Sequence, residues 1–205
     1  MNPLEGILAQ LALFLTAWSG TTSEAPRMET ATWEELASAP ERHVGRPVLL
    51  FVQHRGVLEE WEPYMTRFSP GRYRAFRAWS DEQLPWLEPD YRAPSATLFV
   101  ERGARLDRVL SRAAVHDRLA LAVVVRSAHL GRPWVEVVGA QRARHTVPEG
   151  SVLHAERALE LIERGAFDLA REQVGRALAA PLPAHTRGEL EEIARRCEAA
   201  HGSGR

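Results

Sequence analysis

Apolar positions run along this chain in three patterns: unbroken blocks, loose alternation and helical spacing. Five consecutive apolar residues fill Val48–Val52 and seven fill Leu119–Val125. Blocks of this length between turn formers predict strands buried on both faces. Val44-Gly45-Arg46-Pro47 forms the turn before the first block. His129-Leu130-Gly131-Arg132-Pro133 follows the second and leads into another strand at Trp134–Val138. Between the blocks, Met65–Phe68 and Arg72–Trp79 flank the turn signal Ser69-Pro70-Gly71, as a hairpin or one bent strand, and Thr97–Val100 makes a shorter strand. Alternation over Arg72–Trp79 is out of phase, because Tyr73, Ala75 and Trp79 share a face with Arg77. A bulge would repair it.

Helical spacing begins at Thr32, whose hydroxyl pairs with Glu35 in a capping box ahead of inward-facing Trp33 and Leu36, with Pro40 ending the run. After Gly103, Leu106, Val109, Leu110 and Ala113 recur at i, i+3, i+4 and i+7, which predicts an amphipathic helix. From about Val152 the pattern is helical to the end. Ala155, Ala158, Leu159 and Ile162 mark a first face, stopped by Gly165. Leu169, Ala170, Val174, Ala177 and Leu178 mark a second helix over Phe167–Ala179. Thr186 and Glu189 cap a third, with Leu190, Ile193, Ala194 and Cys197 on one stripe.

The expected class is therefore α+β, organised as an N-terminal segment over 1–25, a barrel domain over 30–147 and a helical hairpin plus capping helix over 151–201. The order strand, strand, strand, helix, strand, strand over about Val44–Arg142 resembles the five-stranded OB-fold barrel, as does the glycine-containing entry Val44-Gly45-Arg46-Pro47-Val48. Such barrels commonly bind oligonucleotides or oligosaccharides on the face of their second and third strands. The resemblance implies a ligand face at Arg67, Arg72, Arg74 and Arg77, interleaved with Phe68, Tyr73, Phe76 and Trp79. Arginine would neutralise phosphate while aromatic rings stack on bases. The competing reading puts the aromatics in the core and leaves the arginines as a solvated face.

In the tail, Ala158, Gly165-Ala166-Phe167, Ala170, Ala177-Leu178 and the following proline resemble one tetratricopeptide repeat over Leu153–Pro183. The family's first-helix tryptophan is missing, and one repeat is fewer than the three or so that stand alone. The resemblance implies a protein-contact role, with the hairpin packed on the barrel or on another subunit.

Ile7–Trp18 is apolar but shorter than the roughly 20 residues that span a bilayer, and Ala17-x-Ser19 offers a signal-type cleavage site. The first basic side chain is only Arg27, which export signals do not favour. Leu4, Ile7, Leu8, Leu11, Phe14, Leu15 and Trp18 also form a helical stripe that could dock on protein. Export, periplasmic or membrane-tethered, is the expected location. With no second such span, multi-pass insertion is excluded.

Composition removes several chemistries. The formal net charge of −1 gives no global attraction to nucleic acid or acidic membranes. All 26 basic residues are arginine, spread evenly, as GC-rich coding produces. One cysteine, Cys197, excludes an intrachain disulfide framework. Eight histidines form no H-x-H, H-x-x-x-H or H-E-x-x-H pair and read as surface or singly bonded residues. Nucleophile-elbow and phosphate-loop motifs are absent. The expectation is a non-enzymatic interaction or adaptor protein, without metal or cofactor, that binds another protein through the barrel, the hairpin or both. The alternatives are an OB-type binder of single-stranded nucleic acid and a hydrolase with dispersed catalytic residues.

Overall fold

A computed structural model describes residues 28–62 and 67–203, so the apolar segment 7–18 and the start of the Met65–Phe68 candidate lie outside the described residues. In chain order the elements are β1 (Glu29–Thr30), α1 (Trp33–Ser38), α2 (Pro40–His43), β2 (Pro47–Leu58), β3 (Tyr73–Ser80), α3 (Glu88–Arg92), β4 (Ala96–Glu101), α4 (Arg105–Ser111), β5 (Arg118–His129), β6 (Arg132–Arg142), α5 (Glu149–Glu163), α6 (Phe167–Ala177) and α7 (Ala184–Ser203). The Thr32 capping box forms in both directions. Pro40 ends α1 by starting α2, where its missing N–H costs nothing.

β2 holds the barrel together. Its first half pairs antiparallel with β5 over Pro47–Gln53, and its second half pairs antiparallel with β3 over Val52–Leu58. β3 continues to β4, β4 runs parallel to β6 at Leu98 and Phe99, and β6 returns to β5. The ring closes in the order β2-β3-β4-β6-β5, with α4 between the third and fourth barrel strands. This is the OB-type topology that the element order predicted. Closure pairs each of the five barrel strands on both sides and leaves only the two-residue β1, parallel to β2 at Val48 and Leu49, as an edge.

The interior is filled by Val48, Leu50 and Val52 of β2, Phe76 and Ala78 of β3, Leu98 and Val100 of β4, and alternate residues Leu119 to Val125 of β5. Leu36 of α1 and Leu110 of α4 complete it. Each large side chain taken fully out of water here contributes about 1.5–3 kcal/mol. The outer faces are covered as well. Leu49, Ala120 and Ala122 are buried against Met28, Phe51 and Val138, which is why β5 reads as an unbroken apolar block.

Two expectations need correction. The Met65–Phe68 strand does not form at its described end: Phe68 is irregular backbone and residues 70–72 form the turn into β3. The strand length is instead in β2, which runs on to Leu58 past the bulge between His54 and Gly56. β3 contains no bulge. Its poor alternation arises because Tyr73, Ala75 and Trp79 face outward yet are covered, so both faces are apolar.

The three last helices share a core of Ala155, Ala158, Ala170, Val174, Ala177 and Leu190 with Trp86 from the β3–β4 connection. Fully buried alanines at 155, 158, 170 and 177 allow close backbone approach, and Ser151 Oγ donates to the Ala177 carbonyl at 2.9 Å. Gly165, at φ 72°, ends α5 in a left-handed turn. Cys197 is buried in this tail, and burial pushes its thiol up, away from reactivity. No helix of the described residues is long and apolar enough to cross a membrane.

One polar knot ties α4 to the barrel. Asp107 is buried and accepts from Arg74 Nε at 2.6 Å, the Gly103 N–H at 2.9 Å and Ser111 Oγ at 3.2 Å. Desolvation opposes its charge, but these donors together outweigh it and hold the carboxyl below its ordinary value. A depressed carboxyl stabilises the fold fully above its unfolded pKa of about 4 and loses that contribution as pH falls through the lower folded value. Urea unfolding should therefore show stability declining below about pH 4, with the decline shallower in Asp107→Asn; parallel pH profiles for the two proteins would refute this role.

Candidate functional site

The sequence-selected strip divides between the two sides of β3, because successive strand residues point to opposite faces. Arg74 and Phe76 turn inward, Arg74 to the Asp107 knot and Phe76 to the barrel core. Tyr73, Arg77 and Trp79 turn outward. Trp79 is fully buried there, stacked on His116 at 4.9 Å and on Tyr91 at 5.5 Å, with its indole N–H donated to the Asp90 carbonyl at 3.0 Å. Arg72 pairs with Glu101 at 3.1 Å in the open, a contact of small energetic weight. Arg67 is exposed beside it. Arg77 is exposed, and its guanidinium has no ion-pair or hydrogen-bond partner among the described residues.

The face on which OB barrels usually stack their ligands is covered by the chain's own loop. Phe68 lies parallel on Phe99 of β4, ring centroids 4.3 Å apart and planes within 9°. Tyr73 meets Phe68 edge-on at 4.8 Å, and Trp61 and Trp134 each approach Phe99 to 5.7 Å. Trp61 Nε1 donates to the Phe68 carbonyl at 2.7 Å and fixes the loop in place. A base stacked on Phe99 would have to displace Phe68.

Open surface remains beside this covered face. A groove of about 870 Å³ lies between Trp61, after β2, and the β5–β6 turn, floored by Arg77 and Thr97. Glu60 and Glu62 line it together with Arg77 and Arg132, so its charge is balanced. Trp134 also lines it, with a buried indole nitrogen that has no hydrogen-bond partner among the described residues. The β5–β6 loop has two residues, because His129 pairs with Arg132. Leu130 and Gly131 both have positive φ, 50° and 72°. Leu130 is 79% exposed at the rim of the groove. Among the strip residues only Arg77 reaches this groove. Sequence reasoning passed over Trp61 and Leu130, although a tryptophan within Glu59-Glu60-Trp61-Glu62 and a leucine before a turn glycine were visible signals.

The histidines also differ from expectation. His54 and His116 are buried. Burial pushes both imidazoles below their ordinary value, against Asp117 for His54 and Glu149 for His116, with Arg55 adding to the fall at His116. Among the described residues, His116 Nδ1 and both side-chain amide atoms of Gln53 are buried without a hydrogen-bond partner. Among the described residues, no group of three His, Cys, Asp or Glu side chains is placed to hold a metal.

If Phe68 is structural cover, truncating it should be costly. Phe68→Ala should lower unfolding free energy by about 3 kcal/mol or more in urea titration, as for other buried phenylalanines; a loss under about 0.5 kcal/mol, the range of ordinary surface changes, would mean the loop is not held on Phe99.

Compared with known protein families and with curated proteins, the chain matches none. Among solved structures it is similar to a protein assigned as an aspartyl-tRNA synthetase from Leishmania major Friedlin, with a TM-score of 0.40 and 9% identity. The likeness covers 83% of this chain and 36% of that one, so the chain spans little more than a third of that protein's length.

Proposed function

We propose that this protein is a non-enzymatic binding module that holds an extended segment of a partner protein in the groove between Trp61 and the β5–β6 turn. The observation that carries this reading is Leu130. Two-residue hairpin loops with positive φ at both positions favour Asn-Gly or Asp-Gly. A leucine there costs about 1 kcal/mol in backbone strain. It is also exposed at the rim of a groove lined by three tryptophans, Trp33, Trp61 and Trp134. Strain and solvent-exposed apolar surface are each unfavourable, and an apolar contact with a partner offsets both.

Charge separates this from the nucleic-acid reading. A single strand needs a groove of one sign and open stacking rings. Here Glu60 and Glu62 oppose Arg77 and Arg132, and the ring platform is taken by Phe68. A short peptide with both charges and an apolar anchor is the better complement. An exported location belongs to the same reading, supported by the apolar segment 7–18. The tail offers a second protein-facing surface, with Leu153 and Leu169 exposed on α5 and α6.

The substitution Leu130→Asn separates folding from binding. It should stabilise the protein by about 1 kcal/mol, because asparagine tolerates the left-handed region, and so raise its melting temperature. Peptides selected from a random linear library on the wild-type protein should share an apolar anchor and bind this variant about tenfold or more weakly. Selected peptides indifferent to both Leu130→Asn and Trp61→Ala would sink the reading. So would oligothymidine binding that weakens steeply with salt.

A further inference from the structure

A second concavity, of about 450 Å³, lies on the outer side of β2 and β3, and Arg55, Arg77 and Arg92 line it together with Tyr91 and Pro94. The fold brings the three arginines together from separate elements. The β2 bulge between His54 and Gly56 leaves Arg55 out of the ladder, and Gly56 pairs with Arg77 across to β3. Gly56 adopts φ 146°, a conformation that side-chain-bearing residues rarely take. Arg92 comes from the end of α3.

Among the described residues, Arg55 and Arg77 lack the carboxylate partner that other arginines around the barrel hold. Arg72, Arg74, Arg118, Arg126 and Arg142 each hold a carboxylate. Arg55 holds none among the described residues; its guanidinium lies instead over the rings of Trp79 and Tyr91, 5.5 and 5.4 Å from their centroids. Arg77 has no polar partner among them. Arg92 has only Glu88, with both side chains at least 70% exposed, a pair of little weight. The rings fix Arg55 in place, so it is not free to swing away from its like-charged neighbours. Positive charge is thus gathered in a concavity whose lining, among the described residues, holds no carboxylate, with Glu60 and Glu62 facing Arg77 only from the neighbouring groove.

We propose that this concavity is a binding site for a phosphate dianion, either free or carried as a monoester. Guanidinium groups present planar forks of N–H donors that suit phosphate oxygens, and a tetrahedral dianion offers acceptors to three such forks. A carboxylate, with two oxygens and one charge, satisfies fewer of them. The volume leaves room for the group that carries the phosphate. Free phosphate and a phosphorylated side chain share this chemistry, and the site meets the peptide groove only at Arg77 and Pro94.

The test is titration of the full chain, followed by the arginine Nε–Hε NMR signals, with inorganic phosphate, a phosphoserine peptide, its unphosphorylated form and 5′-hydroxyl oligothymidine. Phosphate should shift the Arg55, Arg77 and Arg92 signals selectively, and Arg77→Gln should weaken binding about tenfold without changing the melting temperature, since Arg77 is exposed. Arg77→Lys should bind with intermediate affinity, keeping the charge but losing the fork. Tighter binding of the phosphopeptide identifies a modified side chain as the source, and equal binding identifies free phosphate. Absent shifts, shifts spread evenly over the exposed arginines, or binding of oligothymidine alone would overturn the proposal.

Discussion

The structure depends on a single strand serving two neighbours. β2 pairs with β5 along its first half and with β3 along its second, and the bulge at His54/Gly56 marks the later part of that second partnership. Without this double pairing the five strands would be an open sheet with two unsatisfied edges. With it, every barrel strand is hydrogen-bonded on both sides and the interior closes around Phe76, Leu121 and their neighbours. The same bulge turns Arg55 outward, and the chain leaving Leu58 then brings Trp61 and Phe68 over the outer face.

Closure also creates a surface that has to be covered. The barrel strands are apolar outside as well as inside, so several outer patches are shielded by other parts of the chain. Met28 and Phe51 pack over β5, Trp61 and Phe68 over β4, and His116 and Tyr91 over Trp79. The β3–β4 connection in turn carries Trp86 into the helical tail. The two grooves flank Arg77, which lines both.

The two grooves differ in chemistry, which points to different occupants. One combines tryptophan, an exposed leucine and charges of both signs; the other gathers guanidinium groups over aromatic rings. Mixed charge with apolar anchors suits polypeptide, and concentrated arginine suits a compact oxyanion. Neither resembles an extended basic track, and the stacking ring that a nucleobase would use already carries Phe68.

The sequence alone determined the order of barrel strands and helix, the apolar blocks of β2 and β5, the Thr32 cap and the small-residue faces of the helical tail. These are local signals, set by residues within one or two turns of each other. The partners of the arginines were not legible, because Arg74 and Asp107 are 33 residues apart and Arg55 meets Tyr91 only through the bulge and α3. The sides of β3 were equally hidden. When a strand is buried on both faces its two-residue period cancels, so Phe76 in the core and Trp79 on the outside look alike in sequence. The cover over the outer face comes from a loop with no period at all. Only the closed barrel decided that Phe68 would occupy the ring platform and that Arg77 would be left facing open grooves.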